Sequence, residues 1–436
     1  MKVLIKQATI VCRSSPFNGQ IKDILITDGI IAAIADKIAE NNCQLIAQPD
    51  LHVSIGWMDV FAHFCDPGFE YRETLETGAN AAAAGGFTDV MLLPNTNPVV
   101  HNKSQVEYIV QKAKSFPVNI YSIGAVTKNA EGNELAEMYD MQQSGAVAFS
   151  DGTNTIQNSG LLIKALQYVK VFKGTVIQVP DDKSIAANGL MNEGIVSTQL
   201  GLPGKPAMAE ELIVARDIKL TRYADSRLHF TGVTTAKSVE YIRRAKDGGI
   251  NVTCSVAPYH LFFCDEDLTT YDSNLKVNPP LRIKEDRDAL LKALMDGTVD
   301  CIASHHIPQH YDNKVCEFEY AKNGMIGLES LFGAAWSMLS SGSAKDEGQL
   351  AMDNKQLAIE NLIERLSVSP RIIFGLPVPE IKEGAVACLT LFNPAAEYIF
   401  DETMIASKSK NSAFVGKQLK GKVIGIINKN QLILNK

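Results

Sequence analysis

The run Phe87-Thr-Asp-Val-Met-Leu-Leu93 is mostly apolar, and a helical pattern follows it at Ser104–Ser115. A near-continuous apolar run of this length predicts a strand that is buried on both faces, as strands of parallel sheets are. The same pairing of strand and helix recurs along the chain, at Asn119–Ala125 with Asn133–Ser144, Gly145–Ser150 with Leu161–Val171, and Arg227–Thr231 with Ala236–Asp247. Because the repetition extends from Ile55 to about Gly375, it favours a closed (β/α)8 barrel over a doubly wound sheet.

Both ends of the chain lack this pattern. Residues 2–10 and 21–34 alternate apolar and polar side chains around an Asp28-Gly29 turn, which predicts strands and a hairpin. The tail returns to strand character at Ala385–Phe392 and Val423–Ile427. We therefore expect residues 1–54 and 376–436 to pair as one small β-sandwich domain beside a barrel formed by residues 55–375.

The composition predicts a cytoplasmic globular protein without nucleic-acid or membrane partners. The 436 residues carry a net charge of −7, whereas a nucleic-acid surface is basic. No apolar run approaches the roughly 20 residues of a membrane span, and the start, MKVLIKQATIV, has the pattern of a strand and not of a signal segment. The eight cysteines include no Cys-x-x-Cys pair, which favours reduced, buried thiols over a zinc ribbon or a disulfide framework.

The C-terminal ends of the strands carry the functional residues of a barrel of this kind. Here they hold long motifs, which read Asp59-Val-Phe-Ala-His63-Phe-Cys65-Asp66-Pro67-Gly68, Pro94-Asn95-Thr96-Asn97-Pro98 and Val277-Asn278-Pro279-Pro280-Leu281-Arg282. Together with Gly327-Leu328-Glu329 and Ser407-Lys408-Ser409-Lys410-Asn411, these motifs closely resemble those of the dihydroorotases of the amidohydrolase superfamily. The likeness is to the type found in multienzyme pyrimidine complexes, and it covers nearly the whole chain.

The resemblance implies a zinc enzyme that cyclises carbamoyl aspartate reversibly to dihydroorotate. Zinc would lower the pKa of a bound water from 15.7 towards about 7, and an aspartate after the last barrel strand would carry the proton. Four histidines and one carboxylate would form the metal site. Asn95 and Asn278 match family positions that hydrogen-bond the substrate, although an asparagine beside a proline also commonly stabilises a turn.

Most of these positions hold different residues in this chain, and only His63 remains at a family ligand position. The other four ligand positions hold residues that do not bind zinc, namely Phe61, Gly152, Val179 and Gly232. Three further family positions, a substrate-binding arginine, a substrate-contacting histidine and the proton-carrying aspartate, are replaced by Cys65, Gln309 and His305.

One imidazole cannot hold a zinc ion, because even catalytic sites normally use three protein ligands. We therefore expect no bound cofactor and no catalytic role for His305. In family relatives with similar losses, the inactive chain assembles with aspartate transcarbamoylase and stabilises it. The resemblance thus implies a homodimeric scaffold or regulatory subunit for aspartate transcarbamoylase.

Two alternative functions remain open. The chain could be an active zinc-dependent dihydroorotase, or a related cyclic amidohydrolase, that uses the displaced ligands His63, Asp151, His229 and His305. It could instead bind dihydroorotate or carbamoyl aspartate through Asn95 and Asn278 without chemistry.

A cluster of histidines and aspartates and one cysteine also have competing interpretations. The cluster could form a new metal site near the barrel mouth, or its members could simply hydrogen-bond to one another. It comprises His305, His306 and His310 with Asp300 and Asp312. Cys65 is a candidate nucleophile, but no neighbouring sequence feature indicates a depressed thiol pKa, which favours an inert thiol.

Overall fold

The computed structural model describes residues 1–39, 42–341 and 352–435. Its first strands lie outside the barrel, and they are β1 (Lys2–Ile10), β2 (Ile21–Thr27), β3 (Ile30–Ala35), β4 (Gln44–Ile46) and β5 (His52–Ile55). The antiparallel β2–β3 hairpin turns at Asp28-Gly29, as the sequence predicts.

Eight parallel strands form the barrel that follows. They are β6 (Trp57–Ala62), β7 (Phe87–Leu92), β8 (Asn119–Gly124), β9 (Ala146–Phe149) and β10 (Val176–Gln178), and then, beyond a short pair β11 (Met191–Asn192) and β12 (Gly204–Lys205), β13 (Leu228–Thr231), β14 (Val252–Val256) and β15 (Cys301–Ile302). The ring is nearly closed, because Ala62 bridges to His306 and the His63 N–H donates to the His306 carbonyl at 2.8 Å.

Helices follow most of the barrel strands. They are α1 (Leu75–Ala84), α2 (Lys103–Ala113), α3 (Met138–Gln143), α4 (Ser159–Lys170), α5 (Lys183–Ala186), α6 (Ile195–Leu200), α7 (Met208–Ala224), α8 (Ala236–Asp247), α9 (Pro258–Phe262), α10 (Lys284–Asp296), α11 (Leu331–Ser340) and α12 (Met352–Phe374). Within the described ranges, no helix is both long enough and apolar enough to cross a bilayer.

The helix predicted at 133–144 is shorter than expected and begins only at Met138. Its first residues are used differently, because Leu135 forms an antiparallel bridge with Thr127. The Lys128 N–H donates to the Glu134 carbonyl at 2.8 Å, which holds this segment extended. A tertiary backbone pairing thus overrides the local helical pattern.

The C-terminal strands join those of the N-terminus in one sheet. They are β16 (Leu389–Ile399), β17 (Gln418–Asn428) and β18 (Gln431–Leu434). The strand order is β18-β17-β16-β5-β1-β2-β3, with β4 paired to β1. Ile5, Val53 and Leu391 are fully buried in the core of this sheet. The predicted fold class, a parallel barrel with a β domain built from both ends of the chain, is confirmed.

A buried ion pair joins α12 to the N-terminal ends of the barrel strands. Arg371 is 1% exposed, and its Nη2 lies 2.5 Å from Asp89 Oδ2 in β7. The same guanidinium donates to the Gly56 carbonyl at 2.7 Å and to the Ser367 carbonyl at 2.6 Å. Buried charges are tolerated when they are paired and hydrogen-bonded in this way.

We expect Arg371→Ala to lower the free energy of unfolding by about 3–5 kcal/mol, because it leaves the Asp89 carboxylate buried without its counter-charge. The matched control is Arg243→Ala, which removes an arginine from the half-exposed pair with Asp296 and should cost about 1 kcal/mol or less. Urea denaturation of both variants measures the difference. Equal effects of the two substitutions would contradict this assignment.

Candidate functional site

The interior of the barrel near its C-terminal end is filled by apolar side chains. Phe61 and Val179, at two positions where the family resemblance implies histidine ligands, are 1% and 2% exposed and share one cluster with Leu93 and Ala303. The Phe61 ring also packs on the His305 ring, with centroids 4.4 Å apart and planes tilted by 31°. The space implied for a metal is therefore occupied by hydrocarbon and aromatic groups.

His63 is held by its own loop and by the next strand end. Its Nδ1 accepts a hydrogen bond from the Cys65 N–H at 3.0 Å, so the proton lies on Nε2, which donates to the Asn95 carbonyl at 3.0 Å. Burial lowers the pKa of His63 to about 4, so the ring is neutral. Both nitrogens are thus engaged, and the lone pair of Nδ1 is used by the Cys65 N–H.

Gly152 lies at the position implied for the ligating carboxylate, and Asn95 fills the space beside it. A Cβ atom on Gly152 would stand 1.6 Å from Asn95 Oδ1, and the glycine has φ +64°. The Asn95 amide donates to the Asp151 carbonyl at 3.0 Å and accepts from the Thr153 N–H at 3.1 Å. Both polar ends of the Asn95 side chain therefore bind the loop that carries Gly152.

Asp151, the candidate displaced carboxylate ligand, is directed at Thr127. Its two oxygens accept from the Thr127 N–H at 2.9 Å and from the Thr127 hydroxyl at 2.6 Å. Burial raises the pKa of Asp151 to about 6. The carboxylate thus anchors the end of β9 to the end of β8.

His229 and His305 belong to one hydrogen-bonded chain inside the barrel, which continues from His229 Nδ1 to the Thr253 hydroxyl at 2.8 Å. Ser255 lies 3.1 Å from His229 Nε2 and donates at 2.9 Å to Thr231, whose Oγ1 lies 2.8 Å from His305 Nε2. Because the Thr231 hydroxyl accepts from Ser255, its own proton is free to be donated to His305 Nε2. The lone pair of His305 Nε2 is then used within the protein.

The backbone around His305 supports this arrangement. His305 has φ +45°, in the left-handed region that non-glycine residues seldom adopt. Gly232 lies against its ring, since a Cβ atom there would stand 2.7 Å from His305 Cε1. The glycine at this family ligand position therefore makes room for the imidazole. Burial lowers the pKa of His305 to about 3.

Asn278, the second predicted substrate amide, is part of a buried polar cluster. Its Oδ1 accepts from Lys205 Nζ at 2.7 Å, and its Nδ2 donates to Asp181 Oδ2 at 3.3 Å. Lys205 also pairs with Asp181 at 2.8 Å. The sequence gives no sign of this cluster, because Lys205 comes from the β11–β12 insertion, far along the chain from Asn278.

The remaining candidates of the barrel mouth are separated from one another. His306 lies 3.5 Å from Glu73, and His310 lies 3.2 Å from its neighbour Asp312. Asp300 pairs with Lys246 at 2.5 Å. The predicted alternative of a new metal site built from these histidines and aspartates is therefore not supported.

Cys65 and Gln309 also have local partners. Burial raises the pKa of Cys65 to about 12, so the residue is a thiol at neutral pH. Gln309 donates from Nε2 to the Asn323 carbonyl at 2.8 Å, and its Oε1 lies 3.4 Å from Arg72 Nη1.

The residues present do not fit the zinc ion that the family resemblance implies. Across residues 1–39, 42–341 and 352–435, no three or more histidine, cysteine, aspartate or glutamate side chains are arranged to hold a metal ion. The displaced set of His63, Asp151, His229 and His305 is not brought together either, because each member is bound to a different partner. Zinc needs at least three converging donors.

The fold, an eight-stranded parallel barrel beside a sheet of terminal strands, recurs in solved structures. The solved L-hydantoinase (dihydropyrimidinase) from Arthrobacter aurescens shares it with a TM-score of 0.81, at 22% identity, over 100% of this chain and 96% of that one. A family model described as dihydro-orotase-like matches residues 52–238.

Curated relatives identify the family. A dihydroorotase of Pelotomaculum thermopropionicum is 41% identical over 423 residues, 97% of this chain and 96% of the relative. A dihydroorotase of Syntrophus aciditrophicus is 37% identical over 436 residues, 99% of each chain. This chain belongs to the dihydroorotase family.

We expect Gly152→Ala to destabilise the protein more than Gly201→Ala does. Both glycines have similar left-handed backbones, φ +64° and +67°, but a Cβ atom on Gly201 meets open space. The control should therefore cost only the backbone strain of about 1–2 kcal/mol, while Gly152→Ala adds about 1–3 kcal/mol of overpacking against Asn95. Urea unfolding compares the two variants. Indistinguishable midpoints would show that Asn95 does not hold this position.

Proposed function

We propose that this chain is a non-catalytic member of the dihydroorotase family that acts as a scaffold or regulatory subunit for aspartate transcarbamoylase in pyrimidine biosynthesis. The observation that carries the proposal is the filled barrel interior, where Phe61 packs on His305 and Val179 is buried beside them. The full-length match to relatives shows that the family framework is retained around this interior. A retained framework without a metal site favours a role in assembly.

The chemistry of the side chains supports the absence of turnover. Water that no metal activates has a pKa of about 15.7, and a general base contributes only about 10² to 10⁴ in rate. An effective base has a pKa near the working pH, whereas burial lowers the pKa of His305 to about 3. Its Nε2 also accepts a hydrogen bond from Thr231, so His305 is poorly suited to remove a proton from water.

Assembly with the host's aspartate transcarbamoylase tests the scaffold role. We expect the two proteins, mixed at micromolar concentration, to elute in sizing chromatography as one species larger than either alone, and the transcarbamoylase to gain thermal stability, since binding stabilises a folded partner. Each protein run separately at the same concentration is the control, and the chain alone also reports whether it is a homodimer. Two independent peaks would overturn the partner assignment.

An active dihydroorotase is the second candidate, because relatives that are 37–41% identical bear that name. We expect purified protein to hold no stoichiometric zinc in elemental analysis, and to hydrolyse dihydroorotate no faster than buffer when zinc is added. His63→Gln and His305→Gln are the matched variants. Turnover that is present in the native chain and lost in both variants would establish the active enzyme instead.

Simple binding of dihydroorotate or carbamoyl aspartate through Asn95 and Asn278 is the third candidate. Both amides are engaged within the protein, so a ligand would have to displace these bonds. A thermal-shift titration measures such binding directly, because a ligand above its dissociation constant raises the melting temperature.

A further inference from the structure

A cavity of about 690 Å³ lies outside the barrel, between α1, the β16–β17 hairpin and the segment 400–406. Its volume is within the range of small-molecule sites, about 300–1,000 Å³. Its walls are largely apolar and include Ala84, Phe400, Met404, Ile405, Val423 and Leu434. Ligand sites combine such walls with a few fixed polar groups, and one such group is present here.

The polar group is Glu329, which lines the cavity although only 8% of its surface is exposed. Its Oε1 accepts from the Ser407 N–H at 3.0 Å. Backbone N–H groups, that of Ser407 and that of Glu329 itself, are the hydrogen-bond donors to this carboxyl group among the described residues. Glu329 therefore lines the cavity, and no cationic side chain of the described residues lies within ion-pair distance of it.

The surroundings of Glu329 carry an excess of negative charge. A second buried carboxylate, that of Glu73, accepts hydrogen bonds from the Ser407 hydroxyl and from the Lys408 N–H. Among the described residues, the one ionic partner within 4 Å of either carboxylate is His306, 3.5 Å from Glu73. Two buried carboxylates thus share a single imidazole, and burial raises the pKa of Glu329.

We propose that this cavity binds a small amphipathic molecule with a protonated amine, whose ammonium group pairs with the carboxylate of Glu329 and whose apolar body packs on Phe400, Ile405 and Val423. The ammonium supplies the counter-charge that the two carboxylates lack, and it would be a strong partner because it meets a desolvated acceptor. Lys422 also lines the cavity, but it is not within ion-pair distance of Glu329.

The proposed site is independent of the barrel interior. His305 and Phe61 do not line the cavity, and neither Asn95 nor Asn278 does. Binding there therefore needs no metal and no substrate of the dihydroorotase family. The result of a binding test at this cavity is independent of the proposed function.

Three probes of the same shape and different charge test the proposal on the native chain. They are 4-phenylbutylammonium, 4-phenylbutanol and 4-phenylbutyrate. We expect saturable binding of the ammonium in titration calorimetry, at least tenfold tighter than the alcohol, and no binding of the carboxylate. Equal affinity for the ammonium and the alcohol, or no saturable binding of the ammonium, would overturn the proposal.

Three substitutions, of which the first two are a matched pair, locate the binding. Glu329→Gln keeps the shape of the side chain. It should lower the affinity for the ammonium at least tenfold, to the affinity for the alcohol. Glu76→Gln removes the same charge from an exposed position of α1 and should leave the affinity unchanged. Ala84→Phe fills the cavity and should abolish binding of both probes. Unchanged affinity in the Glu329→Gln variant would place the ammonium elsewhere and refute the assignment.

Discussion

The contact between the Phe61 and His305 rings organises the C-terminal end of the barrel. The ring centroids are 4.4 Å apart, and the Nε2–Cε1 edge of the imidazole contacts Thr231 and Gly232. Metal ligands normally converge on one cation from several strands, which ties those strands together. Here an aromatic contact and a chain of neutral hydrogen bonds join the same strands, and the interior needs no buried charge for its cohesion.

Hydrogen bonds within the protein also hold two loops that follow the barrel strands. The polar side chains at the strand ends bind one another and the backbone. Asn95 binds the loop at 151–153, and Asn278 binds Lys205. These bonds satisfy groups that would otherwise be buried without partners. The residues that most resemble substrate contacts in the sequence are thereby part of the scaffold that shapes the mouth.

The architecture could be predicted from the sequence because it rests on periodic patterns. The Ala236–Asp247 helix and the Lys2–Ile10 strand have the predicted bounds, since an amphipathic helix and an alternating strand each carry their own signal. The short α3 could not be predicted, because the Thr127–Leu135 bridge joins separate segments. The partners of Asn278 and Glu329 were missed for the same reason: Lys205 and Ser407 are distant in the chain, and one sequence contains no record of such contacts.

The close fit at Gly232 limits which substitutions this position accepts. A histidine introduced here would place its Cβ against the His305 ring, 2.7 Å from Cε1, in a backbone with φ +70°. His305 would have to change first, and its replacement by aspartate would leave the Phe61 ring without its neighbour and the Thr231 hydroxyl without its acceptor. Position 232 therefore accepts the larger side chain only together with changes at position 305, so the two positions are coupled through their packing.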